Sequence, residues 1–403
     1  MKTLWIINEY AGSRYHGMVY RHYYLARELI KLGVKVYIIS SSFSHTFHTQ
    51  PATRGIYTFE VIDGINYVWV KVPKYEGAHS KKRAWKWIVF MARLFLLPST
   101  LDRPDAIMVS PTAPFPILPA YFFKYKFRAR LLFEVRDIWP LSIVELGGFS
   151  RRNPLIRLMQ WLEEFAYQKS DRVVSVLPNA LDHMKLHGLN IEKYVYIPNG
   201  FSLEEMRESL PLEDNIEKQF PKGKFIVGYA GTVGHANSLE NLILAAEALK
   251  AYKDISFVVI GDGKDRKRLL GIKESKSLDN LTFIDYVPKN RILNAIRRFD
   301  VCYIGLKNKA IFHFGVSPNK LYDYLYSAKP IIYAIDSGND PINQLKCIIR
   351  VGPDDINAIV DAVVHLYRLS AEDRFLYGQI GKRYVLEHHE YRILASKLYD
   401  ELG

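Results

Sequence analysis

The chain has 403 residues, of which 49% are hydrophobic, 13% aromatic and 24% charged. At roughly 100–200 residues per domain this predicts about two domains with proper cores, and it excludes bulk disorder, collagen-like structure and coiled coil. The net charge of +13 is uneven: residues 1–200 hold 27 Lys and Arg against 15 Asp and Glu, whereas residues 201–403 hold 28 against 27, so the first half is expected to face something anionic.

Residues 4–7 form a short apolar run of the buried parallel-strand type. The segment MKTLWIINEYAG holds one lysine and an apolar run that ends at Asn8, shorter than a signal peptide needs, and is expected to be the first buried strand. A loop with Gly12 and Gly17 follows, then helical spacing over 20–32 that ends at Gly33, then a second strand over 34–39. This strand–loop–helix–strand unit opens a doubly wound α/β domain. Two β-rich runs, 57–62 and 65–72, flank the hairpin signal Asp63-Gly64. Further strands are predicted over 105–110, 130–135, 172–176 and 194–198. The pattern then restarts. Strands at 224–230, 256–260, 281–286, 301–306 and 330–334 alternate with helices, one of them over 239–252, and residues 371–402 read as helical throughout. Two successive βα series predict two Rossmann-like domains, with the boundary in the polar stretch 204–222.

Neither the dinucleotide fingerprint nor the P-loop pattern occurs, and there is no H-E-x-x-H. Glu387-His388-His389-Glu390 has no common metal spacing and reads as a solvated helix face. Cys302 and Cys347 make no C-x-x-C pair, so neither a disulfide scaffold nor a zinc site is expected, and a reducing cytoplasm fits. Four segments carry candidate chemistry. The loop around His16 and Gly17 stands between a strand and a helix N-terminus, where backbone N–H groups and the helix dipole favour an anion. In FEVRDIWPLS, Arg136 and Asp137 come where a buried strand ends, on the ligand side of such a sheet; an ion pair between them is the competing reading. In YAGTVG, Gly231, Thr232 and Gly234 precede a helix and form a second phosphate cradle. In SPNKLYDYLYSAKPII, Lys320 suits a phosphate and Asp323, one turn later, suits ribose hydroxyls; a surface Lys–Asp pair is the alternative.

Taken in order, HGMVYRHYYLARELIKLG, FEVRDIWPLS, YIPNGF, YAGTVG, VVIGDGKDRKRL, FIDYV and SPNKLYDYLYSAKPII resemble a family-4 glycosyltransferase of the GT-B type, from the bacterial cell-surface polysaccharide branch. The resemblance covers the whole chain. It implies an α/β fold of two Rossmann-like domains about an interdomain cleft: an acceptor-binding domain over 1–203, a linker over 204–222, a nucleotide-sugar-binding domain over 223–375, and a C-terminal helix, 376–403, crossing back to the first domain. It implies a retaining transfer from a nucleotide-sugar, a UDP-sugar being the commoner donor in this branch, with no metal and no other cofactor.

The resemblance also implies site residues. Donor binding falls to Gly17, Gly231, Thr232, Gly261, Gly263, Tyr286, Val287, Ser317, Pro318, Asn319, Lys320 and Asp323; catalysis to Arg136, Asp137 and Lys320; acceptor contact to His16 and Arg21. Gly261–Gly263 and Tyr286-Val287 match the nucleobase wall. Asp323 stands at the second Glu of the family's E-x7-E motif, but Gly315 stands at the first. Thr232 occupies the family's arginine place, and Asn237 or Ser238 lies near its lysine place. Lys320 is the substitute, with Lys307 and Lys309 as lesser helpers.

Lys82, Arg83, Trp85, Lys86 and Trp87 precede an apolar run about half the length of a membrane span. That composition predicts an interfacial helix on anionic lipid, with a buried domain helix as the competing reading. In the family's architecture the same domain binds the acceptor, so a lipid-linked glycan is the expected partner, at the inner face of the plasma membrane. No nucleic-acid module appears. Two alternatives stay open: a nucleotide-sugar 2-epimerase of the same architecture, and a non-catalytic nucleotide-sugar-binding partner of a glycan-assembly complex.

Overall fold

A computed structural model describes residues 1–17, 20–76, 81–338 and 340–403. Met18 and Val19 of the first helix motif lie outside the described residues. The chain divides into two compact units: residues 1–199 with 391–403, and residues 200–390.

The first unit is built on an eight-stranded sheet. Its strands are β1 (Thr3–Ile7), β2 (Lys35–Ser41), β3 (Tyr57–Ile62), β4 (Ile65–Val70), β5 (Ala106–Val109), β6 (Arg130–Val135), β7 (Arg172–Ser175) and β8 (Tyr194–Tyr196). The order is β3-β4-β2-β1-β5-β6-β7-β8. All neighbours run parallel except β3 and β4, which form the hairpin that Asp63 and Gly64 predict, turning with φ of 48° and 80°. The helices are α1 (Arg21–Lys31), α2 (Lys81–Leu94), α3 (Ile117–Phe127), α4 (Leu141–Gly147), α5 (Pro154–Lys169) and α6 (Leu181–Leu186). Strand β1 is buried at every residue, as a parallel strand covered on both faces must be. Helix α5 starts where Asn153 Oδ1 accepts from the Leu155 N–H at 2.9 Å and Pro154 takes the first helical position.

The second unit opens with α7 (Leu203–Arg207) and α8 (Asp214–Glu217), where the sequence predicts only a linker. Its sheet holds β9 (Phe225–Ala230), β10 (Ile255–Ile260), β11 (Leu281–Ile284), β12 (Val301–Gly305), β13 (Ile331–Ala334) and β14 (Ile348–Arg350). The order is β11-β10-β9-β12-β13-β14, all parallel. Helices α9 (Leu239–Ala248), α10 (Arg266–Ser275), α11 (Lys289–Ile296), α12 (Asn319–Tyr326), α13 (Ile356–Arg368) and α14 (Ala371–His388) complete it. The two faces of this sheet carry separate apolar clusters, one with Val258, Ile304 and Leu325, the other with Val259, Leu242 and Val363.

The C-terminal segment is not one helix. It breaks at His389, whose carbonyl accepts from the Phe201 N–H at 3.0 Å. His389 is buried against Tyr322, ring centroids 4.7 Å apart, so the predicted solvated His-His face is half wrong. After the break, α15 (Tyr391–Asp400) belongs to the first unit. It buries Leu394, Ala395 and Leu398 beside Leu25 and Leu29 of α1, and Tyr391 stacks on Tyr24 at 5.0 Å.

Candidate functional site

In each sheet the strand order reverses at one point, and in open α/β sheets ligands bind outside the carboxyl ends of the strands there. In the second unit the reversal lies between β9 and β12. Lys320, in the first turn of α12, reaches it. Its half-buried ammonium donates to Tyr229 Oη at 2.6 Å and Asn237 Oδ1 at 2.9 Å, and lies 4.3 Å from the centroid of the Tyr229 ring. Tyr229 in turn donates to the Thr232 carbonyl at 2.7 Å. Among the described residues no carboxylate accepts from this amine, and burial pulls its pKa down to about 7. Gly231 lies directly beneath it, since a Cβ there would stand 3.1 Å from Lys320 Nζ.

Gly261 and Gly263 hold this edge together. A Cβ on Gly261 would collide with the Gly231 carbonyl, and one on Gly263 with the Val233 carbonyl. The loops after β9 and β10 therefore touch backbone to backbone, a contact only glycine allows. Thr232 and Asn319 are exposed at the edge, Ser317 and Pro318 half exposed. Ser317 Oγ bonds Tyr322 Oη at 2.6 Å. Helix α12 starts after Pro318 with no side-chain cap among the described residues; Leu321 N–H donates to the Pro318 carbonyl at 3.0 Å, and the N–H groups of Asn319 and Lys320 stand at a helix start, where an anion is favoured.

Lys320 and Asp323 do not pair. Asp323 accepts both its bonds from Lys289 Nζ of α11, at 2.8 and 2.7 Å, which makes its carboxylate half of an ion pair before any ribose arrives. Val287 is buried in the core, so its side chain is not part of a nucleobase wall; Tyr286 beside it is 56% exposed. Lys307 bonds His235, and Ser238 turns away to Asp354 at 3.3 Å. Tyr229 and Lys289 were missed in the sequence, because a tyrosine inside a strand and a lysine opening a helix carry no motif.

In the first unit the reversal lies between β1 and β5. There the loops after β1, β2, β5 and β6 bring Tyr10, His45, Thr112, Arg136 and Asp137 around a pocket of about 180 Å³, with Arg83 of α2 on its wall. Arg136 Nε is buried without a hydrogen-bond partner among the described residues, and Asp137 is exposed at the rim. Arg83 donates to Tyr10 Oη at 3.0 Å. Behind them Lys86 is fully buried, 3.9 Å from the Tyr10 ring centroid. Burial pushes the neighbouring Glu9 carboxyl up to about 7 and the Lys86 amine down to about 8, each held back in part by the other's charge.

Residues 16–200 match the glycosyl transferase 4-like domain and residues 212–342 the glycosyl transferases group 1 domain. The chain thus joins a glycosyl transferase 4-like domain to a glycosyl transferases group 1 domain, and it is a glycosyltransferase. It is 26% identical over 259 residues, 62% of each chain, to the probable glycosyltransferase WbjE of Pseudomonas aeruginosa. It is 22% identical over 202 residues, 49% of each chain, to the putative colanic acid biosynthesis glycosyl transferase WcaI of Escherichia coli K12. The matched stretch thus spans 62% and 49% of these relatives' own length, less than two thirds of either. Among solved structures, the sucrose-phosphate synthase of Thermosynechococcus elongatus superposes with a TM-score of 0.74 at 14% identity, covering 100% of this chain and 99% of that one. HepE of Anabaena, in complex with UDP-glucose, superposes with a TM-score of 0.69 at 11% identity over 100% and 99%. Both likenesses concern the fold.

Three readings from the sequence need correction within the first unit. His16 is buried, bonded to Ser13 Oγ at 2.9 Å and packed 4.8 Å from the Trp69 ring; burial lowers its pKa. Its side chain is a core histidine and not an acceptor contact. Arg21 is likewise buried and consumed. It donates to Glu134 Oε1 at 2.9 Å and to the carbonyls of Pro198 at 2.5 Å and Ile197 at 2.8 Å. Glu134 also bonds His22 at 2.9 Å and accepts from Ser110 Oγ at 2.5 Å, so the arginine ties α1 to β6 and to the end of β8. Gly17 has φ of 96°, and a Cβ there would crowd His48 Cδ2 at 2.6 Å, so local packing accounts for this glycine. The third correction is α2. Lys86 and Trp87 point inward and Arg83 lines the pocket, leaving only Lys82 and Trp85 of the five proposed membrane contacts exposed. That basic stripe serves the sheet edge. No helix among the described residues is long and apolar enough to cross a membrane.

Proposed function

We propose that the chain is a retaining glycosyltransferase that moves a sugar from a nucleotide-sugar, a UDP-sugar, to a lipid-linked glycan during cell-surface polysaccharide assembly. The observation that carries the donor half is Lys320: a lysine with no carboxylate partner among the described residues, over Gly231 at a strand-order reversal and at the start of a helix with no side-chain cap among them. The names of WcaI and of the HepE complex, and the family itself, support the polysaccharide and UDP-sugar parts.

Breaking the anomeric C–O bond leaves negative charge on the departing diphosphate. An ammonium and N–H dipoles already aimed at that charge stabilise it as it develops. Lys320 gains a proton's charge when the diphosphate arrives, because the anion raises a pKa that burial had lowered. The leaving phosphate accepts the acceptor's proton on the face it vacates, which gives retention without a protein nucleophile, and the scheme calls for no metal. In the first unit, Arg136 and Asp137 at the pocket are the acceptor-side groups.

A thermal-shift screen against UDP, GDP, ADP, CMP and UDP-glucose, without metal, tests the donor half. Selective stabilisation by UDP and UDP-glucose is expected. No shift with any nucleotide contradicts it. A shift with UDP-glucose but no transfer to any lipid acceptor supports the non-catalytic partner, the reading that the missing glutamate at Gly315 favours.

A further inference from the structure

Helix α5 is apolar on two sides. Its inner side, Ile156, Met159, Leu162 and Ala166, is buried. Its outer side is apolar as well: Leu155, Leu158 and Trp161 are 37%, 45% and 51% exposed. The outer surface of a helix on a soluble domain is normally polar, and a lone exposed leucine needs no explanation. This is not a lone residue. Trp161 packs on Phe165 at 5.5 Å, Phe165 on Tyr121 of α3 at 4.9 Å, and Tyr121 on Tyr125 at 4.9 Å. Phe122, next along α3, packs on Phe95 just past α2 at 5.9 Å. Tyr125, Phe122, Phe95 and Leu96 are 65%, 47%, 40% and 72% exposed. Leu146 and Phe149, at and beyond the end of α4, add two more half-exposed apolar side chains.

The charges around this face are one-sided. Its acids are engaged locally: Glu145 with Arg151 at 3.6 Å, Glu164 with His187 at 3.1 Å, Asp171 with Lys124 at 2.7 Å. Arg128, Arg152 and Arg157 have no acidic partner among the described residues, and Lys126 lies over the Phe127 ring at 5.3 Å. Large apolar and aromatic side chains among unpaired cations are what an anionic lipid surface recognises: rings and leucines enter the headgroup boundary, cations meet the phosphates. The face also leads to the pocket. Arg157 and Trp161 line a groove of about 440 Å³ that runs to Pro140 and Leu141, and the same loop carries Arg136 and Asp137.

We infer that the outer face of α3 and α5, with the ends of α2 and α4, docks this protein on an anionic bilayer. It replaces the inward-turned α2 stripe as the lipid contact. The inference goes beyond the transfer reaction and needs no knowledge of the acceptor. It rests on exposure and charge in the first unit, independently of Lys320.

The test is co-sedimentation of the full chain with vesicles of phosphatidylglycerol and phosphatidylethanolamine, and with phosphatidylcholine vesicles alone. Anionic vesicles should bind the protein at least tenfold more tightly than neutral ones. Leu158→Glu with Trp161→Glu should cut binding to anionic vesicles tenfold or more, and Arg152→Ser with Arg157→Ser should cut it and flatten its salt dependence. Val61→Glu, 69% exposed on the edge strand β3 at the far side of the sheet, should bind as the parent does. All substituted side chains are exposed; an unchanged calorimetric transition of the first unit, read on the same preparations, reports that its fold is intact, and the UDP-induced thermal shift reports the donor site. Failure of the parent to bind anionic vesicles overturns the inference, as does equal binding by the Leu158/Trp161 variant, or an equal loss in Val61→Glu. Loss of the UDP shift with vesicle binding intact counts against the donor reading alone.

Discussion

Replacing Lys320 by Met keeps the length of the side chain and removes the amine over Gly231. Two opposed effects follow in the unliganded protein. The bonds to Tyr229 Oη at 2.6 Å and Asn237 Oδ1 at 2.9 Å are lost, and so is the cost of burying an amine whose pKa has fallen to about 7. The melting temperature should therefore move little. Donor binding should move a great deal. A hydrogen bond to a charged group contributes about 1.5–3 kcal/mol, and an ion pair at ~4 Å with an effective dielectric of ~20 has an upper bound of about 4 kcal/mol. A loss of about 2–3 kcal/mol is a roughly 30- to 150-fold weaker Kd. The pH dependence fixes the sign. A nucleotide-sugar diphosphate keeps its charge between about pH 6 and 9, whereas Lys320 changes across about 7. Below that value the free protein already carries the ammonium. Above it, binding must take up a proton, so affinity falls by up to about tenfold per pH unit. Calorimetric titration with UDP-glucose at about pH 6, 7 and 8.5 should show this fall for the parent and a flat, weak Kd for Lys320→Met. Equal affinities, or a parent affinity that rises with pH, would refute the assignment.

Three further outcomes follow from the same structure. Glu134→Ala leaves Arg21 buried without its carboxylate, a change that costs about 3–5 kcal/mol; scanning calorimetry should show the transition of the first unit lowered, with that of the second unchanged. Glu134 is held well below the ordinary glutamate value of 4.5 by Arg21, His22 and Ser110 against the cost of its burial. Its contribution is complete above that ordinary value and lost as pH falls below it, so the parent's melting temperature should drop there and the variant's should drop less. Gly261→Ala drives a methyl into the Gly231 carbonyl; overpacking of about 1–3 kcal/mol should lower the second transition and weaken UDP binding together. Ending the chain at Glu390 strips Leu394, Leu398 and Leu402 from the first core and breaks the Arg172–Glu401 pair at 2.6 Å. At about 1.5–3 kcal/mol per large side chain the loss approaches the whole stability of a domain, so limited proteolysis should degrade the first unit; a protease-resistant first unit would contradict the packing described.

The fold was legible because its strands are apolar runs bounded by turn residues. The Asp63-Gly64 hairpin and the restart of the βα series after the first two hundred residues left little choice of class. The strand β14 and the break at His389 were not legible, since Ile348–Arg350 is too short to signal a strand and a buried histidine that turns the chain looks like any histidine near a helix end. At the site, Lys320 and the glycines at 231, 261 and 263 could be read from their place before helices. What each partners with could not. Asp323 is one turn from Lys320 in sequence, yet its partner is Lys289, on a different helix. Arg21 and His16 sit in a loop and helix start of ligand-binding type but are consumed by Glu134 and Trp69. The α2 stripe shows the limit most clearly: Lys86 beside two tryptophans has the composition of a lipid-facing helix, and its direction is set by Glu9 and Tyr10, 77 and 76 residues earlier in the chain.

Incubating the purified chain with UDP-sugars labelled in the sugar, together with lipid-linked glycans extracted from a bacterial membrane, and following label into the lipid phase measures the proposed reaction itself. Label should enter lipid with at least one UDP-sugar, should be abolished by Lys320→Met and by Arg136→Ala, and should be released with the donor's anomeric configuration. UDP-sugar binding without any label in lipid, across sugars and acceptors, would contradict it.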